Sequence, residues 1–292
     1  MSLLPACLAL VLPWRAGLLF ALYSLLFALC SLLFILYSIV LVLGSWFLVL
    51  GSEIYFVMQV FYTPGISGKF ATLPSEESRH CINVMRYSFS DTIHLIDGRG
   101  GFYKALIIKP DPRACEVEIT EYQPDFNKRS CRLHLAIAPT KQIARFEWLL
   151  EKVVEIGVDE ITPVRCQRSE RKEIKTERLE KLIIASMKQA IVAEKPRLND
   201  MISYPQFIRS SPNTDPGRFI AYCAGQQNKL LKDALVKDKD AIILIGPEGD
   251  FTPEEIHLAL TSGYTPVSLG SNRLRTETAA LAGSVTFSII NS

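Results

Sequence analysis

The 292 residues of this chain carry 32 lysines and arginines against 30 aspartates and glutamates, which gives a formal net charge of +2. That near balance excludes a chain that binds nucleic acid by overall charge alone, although it leaves room for a local basic face. The seven cysteines include no C-x-x-C pair and the four histidines are dispersed, which argues against a disulfide framework and a metal site and indicates a reducing compartment.

An apolar leader, residues 1–57, opens the chain. Residues 16–52 contain no Asp, Glu, Lys, Arg or His, and about 20 apolar residues suffice to cross a bilayer. The leader is interpreted first as an upstream extension of a protein that starts at Met58, and otherwise as a membrane anchor or a signal-like segment. We therefore expect a cytoplasmic protein, with a membrane-anchored protein whose active domain faces the cytoplasm as the alternative.

Short strand patterns with frequent turn signals follow over residues 58–128. The alternating segment Thr92–Ile96 is the clearest strand, and Phe102–Ile108 and Cys115–Ile119 are further strand candidates. Several short strands at this spacing predict a small β-barrel. The polar segment Gln123–Arg129 is the predicted linker to the next domain.

The period changes over residues 129–292, where strand and helix patterns alternate. Arg132–Ala138 is a predicted strand, and Gln142–Ile156 has apolar residues at helical spacing with Gly157 as its end signal. Asn228–Val236 is a further predicted helix. Alternating strands and helices predict a mostly parallel sheet covered by helices on both faces.

A first strand–loop–helix unit lies near the carboxyl end. The apolar strand Ala241–Ile245 leads into Gly246-Pro247-Glu248-Gly249, and a helix begins after Thr252. Thr252 suits the N-cap, Pro253 the first helical position and Glu255 a capping box. The glycine loop is either an ordinary turn or a binding loop, since ligands bind at the carboxyl ends of strands in open α/β sheets.

A second unit of the same kind follows. The strand Val267–Leu269 leads into a polar loop, and a helix rich in small residues begins near Thr276. Thr276 is the predicted cap, and Glu277 suits the positive end of the helix dipole. Arg273 and Arg275 beside Glu277 would form only a weak surface ion pair, or they provide an anion-binding arginine and a carboxylate beside a pocket.

The two units together, IGPEGDFTPEEI and SLGSNRLRTETAAL, resemble the RsmE family of 16S rRNA uridine N3-methyltransferases in the SPOUT superfamily. The similarity extends over residues 58–292, through the segments MQVFYTPGI, Ser78–His80, Val84–Arg86, Glu151–Pro163 and Arg168–Glu170. Two positions depart from the family pattern. Asp250 replaces the usual glycine, and Gln189–Pro196 differs from the family's usual segment there.

The resemblance implies a SPOUT-type knotted parallel sheet with helices on both faces, preceded by a small PUA-like β-barrel domain and the apolar leader. The implied domains are the leader (1–57), an RNA-binding PUA-like barrel (58–128) and a SPOUT methyltransferase domain (129–292). The implied cofactor is S-adenosyl-L-methionine, and the implied partners are 16S rRNA of the small ribosomal subunit and a second copy of the chain. A membrane is a partner only if the leader is part of the native protein.

The resemblance also implies site residues. The cofactor would lie against two segments of loop backbone, formed by Ile245, Gly246, Pro247, Glu248, Gly249, Leu269, Gly270, Leu274 and Thr276. Methylation of uracil N3 requires loss of the imide proton, which leaves an anionic base. Arg275 is the candidate that stabilises this anion, and Glu277 or Glu248 is the candidate proton acceptor. The candidates for contacts with RNA are basic: Arg79, His80, Arg86, Lys141, Arg145, Arg165, Arg168 and Arg171.

Two alternatives stay open at this stage. The same fold could act on tRNA or on a ribose 2′-hydroxyl group. A catalytically idle RNA-binding protein could also keep the fold, and binding of S-adenosylmethionine would separate it from the enzymes.

Overall fold

The structure is a computed structural model, and it describes residues 58–210, 217–223 and 228–292. The predicted apolar leader therefore lies outside the described residues. Among the described residues, no helix combines the length and the apolar character needed to span a membrane.

The first part of the described chain is a five-stranded sheet with the strand order β1-β3-β4-β5-β2. Its strands are β1 (Val60–Tyr62), β2 (Phe70–Thr72), β3 (Thr92–Ile96), β4 (Phe102–Lys109) and β5 (Glu116–Gln123). β1 pairs with β3 in parallel, and the other neighbours are antiparallel. Alternate side chains of β4 are buried, so one face of the sheet covers a small apolar core.

A short helix and a single π-helical turn connect β2 to β3. The helix is α1 (Ser75–Arg79), and the π-helical turn spans His80–Val84. Ser78 Oγ is buried there, where it donates to the Leu73 carbonyl at 3.0 Å and accepts from the Cys115 amide at 3.0 Å. Ser78 thus fixes the helix to the sheet, which explains a serine at this point without any role in binding.

The second part of the chain is a parallel sheet with the strand order β11-β13-β10-β12-β6-β7-β8, and β9 also pairs with β7. Its strands are β6 (Leu133–Ile137), β7 (Glu160–Arg165), β8 (Arg197–Leu198), β9 (Ile202–Ser203), β10 (Gly217–Ala221), β11 (Lys229–Leu230), β12 (Ala241–Ile245) and β13 (Thr265–Ser268). All five residues of β12 are buried, as expected for a central strand covered on both faces.

Helices cover both faces of this sheet. They are α2 (Ile143–Ile156), α3 (Thr176–Ala190), α4 (Tyr204–Ser210), α5 (Leu231–Ala234), α6 (Pro253–Thr261) and α7 (Thr276–Ile290). One apolar core contains residues of α2, α3 and α7, and the core on the opposite face contains residues of α4 and α6. The fold class predicted from the sequence is confirmed: a parallel sheet with helices on both faces follows a small curled sheet.

Several element boundaries differ from the prediction. The predicted helix Asn228–Val236 is wrong over its first part, because Lys229–Leu230 forms a strand that pairs with β13 and only Leu231–Ala234 is helical. The helical spacing of apolar residues predicts a helix over Thr176–Ala193, but α3 ends at Ala190, because Ile191 takes a left-handed φ of 55°. Gly157 ends α2 as predicted, with a left-handed φ of 98°.

The segment after α3 connects the two parts of the chain. The Gly100 amide donates to the Ala193 carbonyl at 3.1 Å, and the Lys195 amide donates to the Gly98 carbonyl at 3.0 Å. Lys188 Nζ also lies 2.6 Å from Glu77 Oε1. The segment Gln189–Pro196, which departs from the family pattern, thus serves as a backbone contact between the sheets.

Candidate active site

A cavity of about 230 Å³ lies at the carboxyl ends of β10 and β12, which are neighbours in the parallel sheet. The glycine loop after β12 and the loop before α7 form opposite sides of this cavity. We call it the loop cavity, and its lining residues are Ala221, Tyr222, Cys223, Ile245, Gly246, Pro247, Glu248, Asp250, Arg273, Leu274, Arg275, Thr276 and Ala279. The position at the strand ends is the one expected for a ligand in an open α/β sheet.

Both glycines of the first loop lie where an added Cβ atom would be crowded. A Cβ atom on Gly246 would lie 3.0 Å from the ring of Phe251, and one on Gly249 would lie 3.2 Å from the Cβ of Arg168. Neither glycine has a left-handed φ. The close contacts, rather than backbone freedom, therefore explain the glycines.

Asp250 occupies a left-handed conformation with φ of 61°. Glycine takes this conformation without steric cost, and aspartate tolerates it better than most residues. Asp250 Oδ2 accepts from the Cys223 amide at 3.0 Å, and Oδ1 accepts from the Phe251 amide at 2.8 Å. The departure from the family's glycine thus keeps the turn and adds a link to the end of β10.

The start of α6 is the capping box predicted from the sequence. Thr252 Oγ1 accepts from the Glu255 amide at 3.3 Å, and Glu255 Oε2 accepts from the Thr252 amide at 2.9 Å. The other oxygen, Glu255 Oε1, accepts from the Gln167 amide at 2.8 Å. One buried carboxylate thus fixes both the helix start and the loop that follows β7.

Two arginines of the loop that follows β7 donate to backbone carbonyls. Arg168 Nη1 donates to the Gly249 carbonyl at 2.8 Å, and Arg171 donates to the carbonyls of Thr140 and Lys141 at 3.1 and 2.7 Å. On the other side of the glycine loop, Glu248 Oε1 accepts from the Lys141 amide at 2.9 Å. These bonds hold the glycine loop in place.

The second loop ends in a helix whose cap differs from the prediction. Arg275, rather than Thr276, is the N-cap residue of α7, and no side chain caps the helix there. Thr276 is the first helical residue and is buried. The prediction of Thr276 as the cap is therefore wrong by one position, and Arg275 marks the point where the loop meets the helix.

A second cavity, of about 640 Å³, adjoins the loop cavity. It lies between α2 and the first turn of α7, and we call it the helix cavity. The two cavities share Arg273, Leu274 and Arg275. The other lining residues of the helix cavity are Ala144, Arg145, Trp148, Glu277 and Thr278.

Glu277 is the most unusual group in the helix cavity. Only 7% of the residue is exposed. Its Oε1 lies 3.9 Å from Arg145 Nε, and its Oε2 has no hydrogen-bond partner among the described residues. A buried carboxylate oxygen without a donor costs about 1–3 kcal/mol, so this position is a candidate for a reactive group.

Other buried ionisable groups lie near the loop that follows β7. Burial raises the pKa of the Cys166 thiol and of the Tyr204 hydroxyl well above their ordinary values. The Tyr204 hydroxyl also donates to the Glu255 carbonyl at 2.6 Å. Both groups therefore stay protonated at neutral pH, and neither acts as a base.

The structure brings most of the predicted cofactor residues together. Those that line the loop cavity are Ile245, Gly246, Pro247, Glu248, Leu274 and Thr276. Gly249, Leu269 and Gly270 do not line it, and Leu269 packs against the apolar core. Sequence reasoning missed Ala221, Tyr222, Cys223, Asp250 and Ala279. The signal for Ala221–Cys223 was present, because they end the apolar segment Phe219–Cys223, whose pattern predicts a strand, and ligands bind at the carboxyl ends of such strands.

The basic residues predicted to contact RNA are spread over both parts of the chain. Arg79, His80 and Arg86 lie on or directly after α1 and its π-helical turn. Lys141 lies 2.7 Å from Glu170, whereas Arg165 is exposed and lies within 4 Å of no acidic group among the described residues. Among the predicted RNA contacts after residue 128, Arg165 is therefore the one left most available to bind a phosphate.

Two family models match the chain. A model described as an RNA methyltransferase domain matches residues 127–288, and a model described as an RNA methyltransferase PUA domain matches residues 73–120. A curated relative, ribosomal RNA small subunit methyltransferase E of Mesomycoplasma hyopneumoniae, is 31% identical over 60% of this chain and 77% of that protein.

Solved structures are similar over most of the described chain. A probable rRNA methyltransferase from Porphyromonas gingivalis is 41% identical with a TM-score of 0.73, and the match covers 77% of this chain and 95% of that chain. A ribosomal RNA small subunit methyltransferase E from Neisseria gonorrhoeae, bound to S-adenosyl methionine, is 26% identical with a TM-score of 0.73. That match covers 80% of this chain and 98% of the other.

Proposed function

Because the chain belongs to the ribosomal RNA small subunit methyltransferase E family of RNA methyltransferases, we propose that it methylates N3 of a specific uridine in 16S rRNA with S-adenosylmethionine. The observation that carries this proposal is the pair of adjoining cavities that share Arg273, Leu274 and Arg275. One cavity suits the cofactor, and the other can receive the acceptor base.

The residues of the loop cavity fit S-adenosylmethionine. Ile245, Leu274 and Ala279 offer an apolar wall for the adenine ring. Asp250 carries the negative charge that a sulfonium or ammonium group prefers, and Arg273 offers the opposite charge for a carboxylate. The cavity thus provides a partner for each charged part of the cofactor.

The cofactor supplies a methyl group on a positively charged sulfur, which is already a strong electrophile. The protein must therefore align the nitrogen and remove the imide proton. We assign the proton acceptor to Glu277, because its Oε2 has no partner among the described residues. Glu248 is less suited, since its carboxylate accepts from the Lys141 amide. Arg275 lines both cavities, so its charge can stabilise the uracil anion.

RNA binding is assigned to both domains. We propose that residues 58–128 form a PUA-like barrel that binds RNA through Arg79, His80 and Arg86, and that residues 129–292 form the methyltransferase domain. Arg165 is the first candidate of that domain for a phosphate contact. Arg168 and Arg171 have structural contacts that account for them, and Arg145 faces Glu277. Residues 1–57 are assigned no role in catalysis.

A homodimer is the proposed assembly. α2 and α7 pack against each other, and the apolar side chains of Val285 and Ile289 on α7 are exposed. Exposed apolar side chains beside small residues favour close contact with a second copy. Such a contact would lie near the helix cavity, and the active domain would work in the cytoplasm, where 16S rRNA matures.

The deciding experiment is mass spectrometry of 16S rRNA from a strain that lacks this gene. We expect one N3-methyluridine to disappear and to return when the full chain is expressed again. If 16S rRNA keeps all its N3-methyluridine while a tRNA loses a methyl group, the alternative substrate is correct. Calorimetry with S-adenosylmethionine tests the idle RNA-binding protein, for which no binding is expected.

A further inference from the structure

The helix cavity combines a flat aromatic side chain with two opposite charges. Trp148 is 43% exposed although the next two residues, Leu149 and Leu150, are buried. Arg145 and Trp148 are three residues apart on one face of α2, so their side chains are neighbours. Glu277 lies opposite them in the first turn of α7. An aromatic surface, a guanidinium and a carboxylate thus border one space.

We propose that this cavity binds the target uracil, with Trp148 stacking on the ring and Arg145 and Glu277 recognising its imide edge. The proposal rests on the proposed function, which it deepens by naming the base-binding residues. The edge of uracil presents an acceptor, a donor and an acceptor: O4, N3–H and O2. A guanidinium donates to a carbonyl oxygen and a carboxylate accepts from N3–H, so the charges match this order.

The order of hydrogen-bonding groups that the cavity recognises discriminates against cytosine. Cytosine has no proton on N3, so a lone pair would face the Glu277 carboxylate, and the Arg145 guanidinium would face the N4 amino group if the base kept its orientation. Unmatched polar groups in a binding site reduce binding. The cavity therefore selects uracil by the same carboxylate that accepts its proton.

The methyl transfer breaks the N3–H bond of uracil and the carbon–sulfur bond of the cofactor. The proton on N3 goes to the Glu277 carboxylate, and the lone pair on N3 forms the new bond to the methyl carbon. The electron pair of the broken carbon–sulfur bond stays on sulfur, so the sulfonium becomes a neutral thioether. Glu277 then releases its proton to water. Trp148 is a positioning residue in this step, because it holds the ring without touching the proton.

Substitution of Trp148 separates stacking from simple apolar packing. Trp148→Phe keeps a flat ring, whereas Trp148→Leu keeps an apolar side chain without one. With 16S rRNA that lacks the methyl group, we expect Trp148→Leu to lower kcat/KM by about 10- to 100-fold, and Trp148→Phe by less than about threefold. The affinity for S-adenosylmethionine, measured by calorimetry, should stay unchanged in both.

Leu260→Ala is the matched control, since Leu260 is 39% exposed on α6 and lines neither cavity. It should leave kcat/KM unchanged. The proposal is overturned if Trp148→Leu retains activity within about twofold of the natural protein. The proposal is also overturned if Trp148→Leu and Trp148→Phe lose activity to the same extent and neither variant forms the dimer, as measured by light scattering. Apolar packing at an interface would then explain the residue.

A crosslinking experiment gives a readout that does not depend on methylation. 16S rRNA transcribed with 5-iodouridine is irradiated with the full-length protein, and the crosslinked peptide is identified by mass spectrometry. A crosslink at Trp148 that Trp148→Leu abolishes supports the base site, even if no methyl group is transferred and the proposed function fails. If methylation occurs and the crosslinks map elsewhere, the proposed function stands and the base site is overturned.

Discussion

The loop cavity and the helix cavity adjoin each other, but they are built in different ways. The loop cavity is formed by strand ends and loop backbone, and several side chains fix that backbone. Glu248 accepts from Lys141, Asp250 from Cys223, and Arg168 donates to Gly249. The helix cavity is formed by side chains of two helices, and its Glu277 carboxylate lacks a close donor.

This difference has a chemical meaning. Backbone groups held by a hydrogen-bond network can bind a ligand that is the same in every reaction cycle. A buried charge without a close partner is instead costly, and it is useful where charge changes during the reaction. The comparison leads us to expect binding defects from substitutions around the loop cavity and rate defects from substitutions in the helix cavity.

The largest expected effect is on the rate, from Glu277→Gln. An amide cannot accept the N3 proton, so kcat should fall by about 100- to 10,000-fold. The affinity for S-adenosylmethionine in calorimetry should not change. Glu248→Gln is the matched control, because an amide oxygen still accepts from the Lys141 amide. Equal losses in the two variants would contradict the division of roles between the cavities.

The next effect is on cofactor binding, from Asp250→Val. A β-branched residue at a left-handed φ costs about 1–3 kcal/mol, and the bonds to Cys223 and Phe251 are lost. We expect the dissociation constant of S-adenosylmethionine to rise by about tenfold or more. Asp250→Gly loses the same charge and hydrogen bonds but adopts the φ freely, so its dissociation constant should rise by less than that of Asp250→Val. A rate defect with unchanged cofactor affinity would argue against this role.

A smaller effect is expected on stability, from Glu255→Ala. The variant loses the capping box and leaves the Gln167 amide without its acceptor. The free energy of unfolding in urea should fall by about 2 kcal/mol. Glu254→Ala, at the neighbouring exposed position, should leave it nearly unchanged. If both variants unfold alike, the carboxylate of Glu255 does not fix this loop.

The smallest effect comes from comparing Arg168→Ala with Arg165→Ala. Loss of the bond from Arg168 to Gly249 should weaken S-adenosylmethionine binding by about threefold, with little change in the salt dependence of RNA binding. Arg165→Ala should leave cofactor binding unchanged and reduce the salt slope of RNA binding by about one. The reverse pattern would mean that Arg168 contacts phosphate and Arg165 supports the loop.

Features that depend on neighbouring residues were determined by the sequence alone. The capping box at Thr252 and Glu255, the left-handed end of α2 at Gly157 and the strand Thr92–Ile96 all occur as the sequence predicts. Each depends on residues within about one helical turn or on one strand, so local patterns suffice. The two glycine-marked loops also carried enough signal to identify the family.

Contacts between distant segments were decided only by the tertiary structure. The hydrogen bond between Asp250 and Cys223 joins residues 27 positions apart in the sequence, and the one between Arg168 and Gly249 joins residues 81 positions apart. The strand Lys229–Leu230 forms because β13 lies beside it, which no local pattern indicates. Trp148 and Glu277 border one cavity because α2 and α7 pack together. Local energetics therefore determined the elements and loops, whereas packing decided which side chains meet.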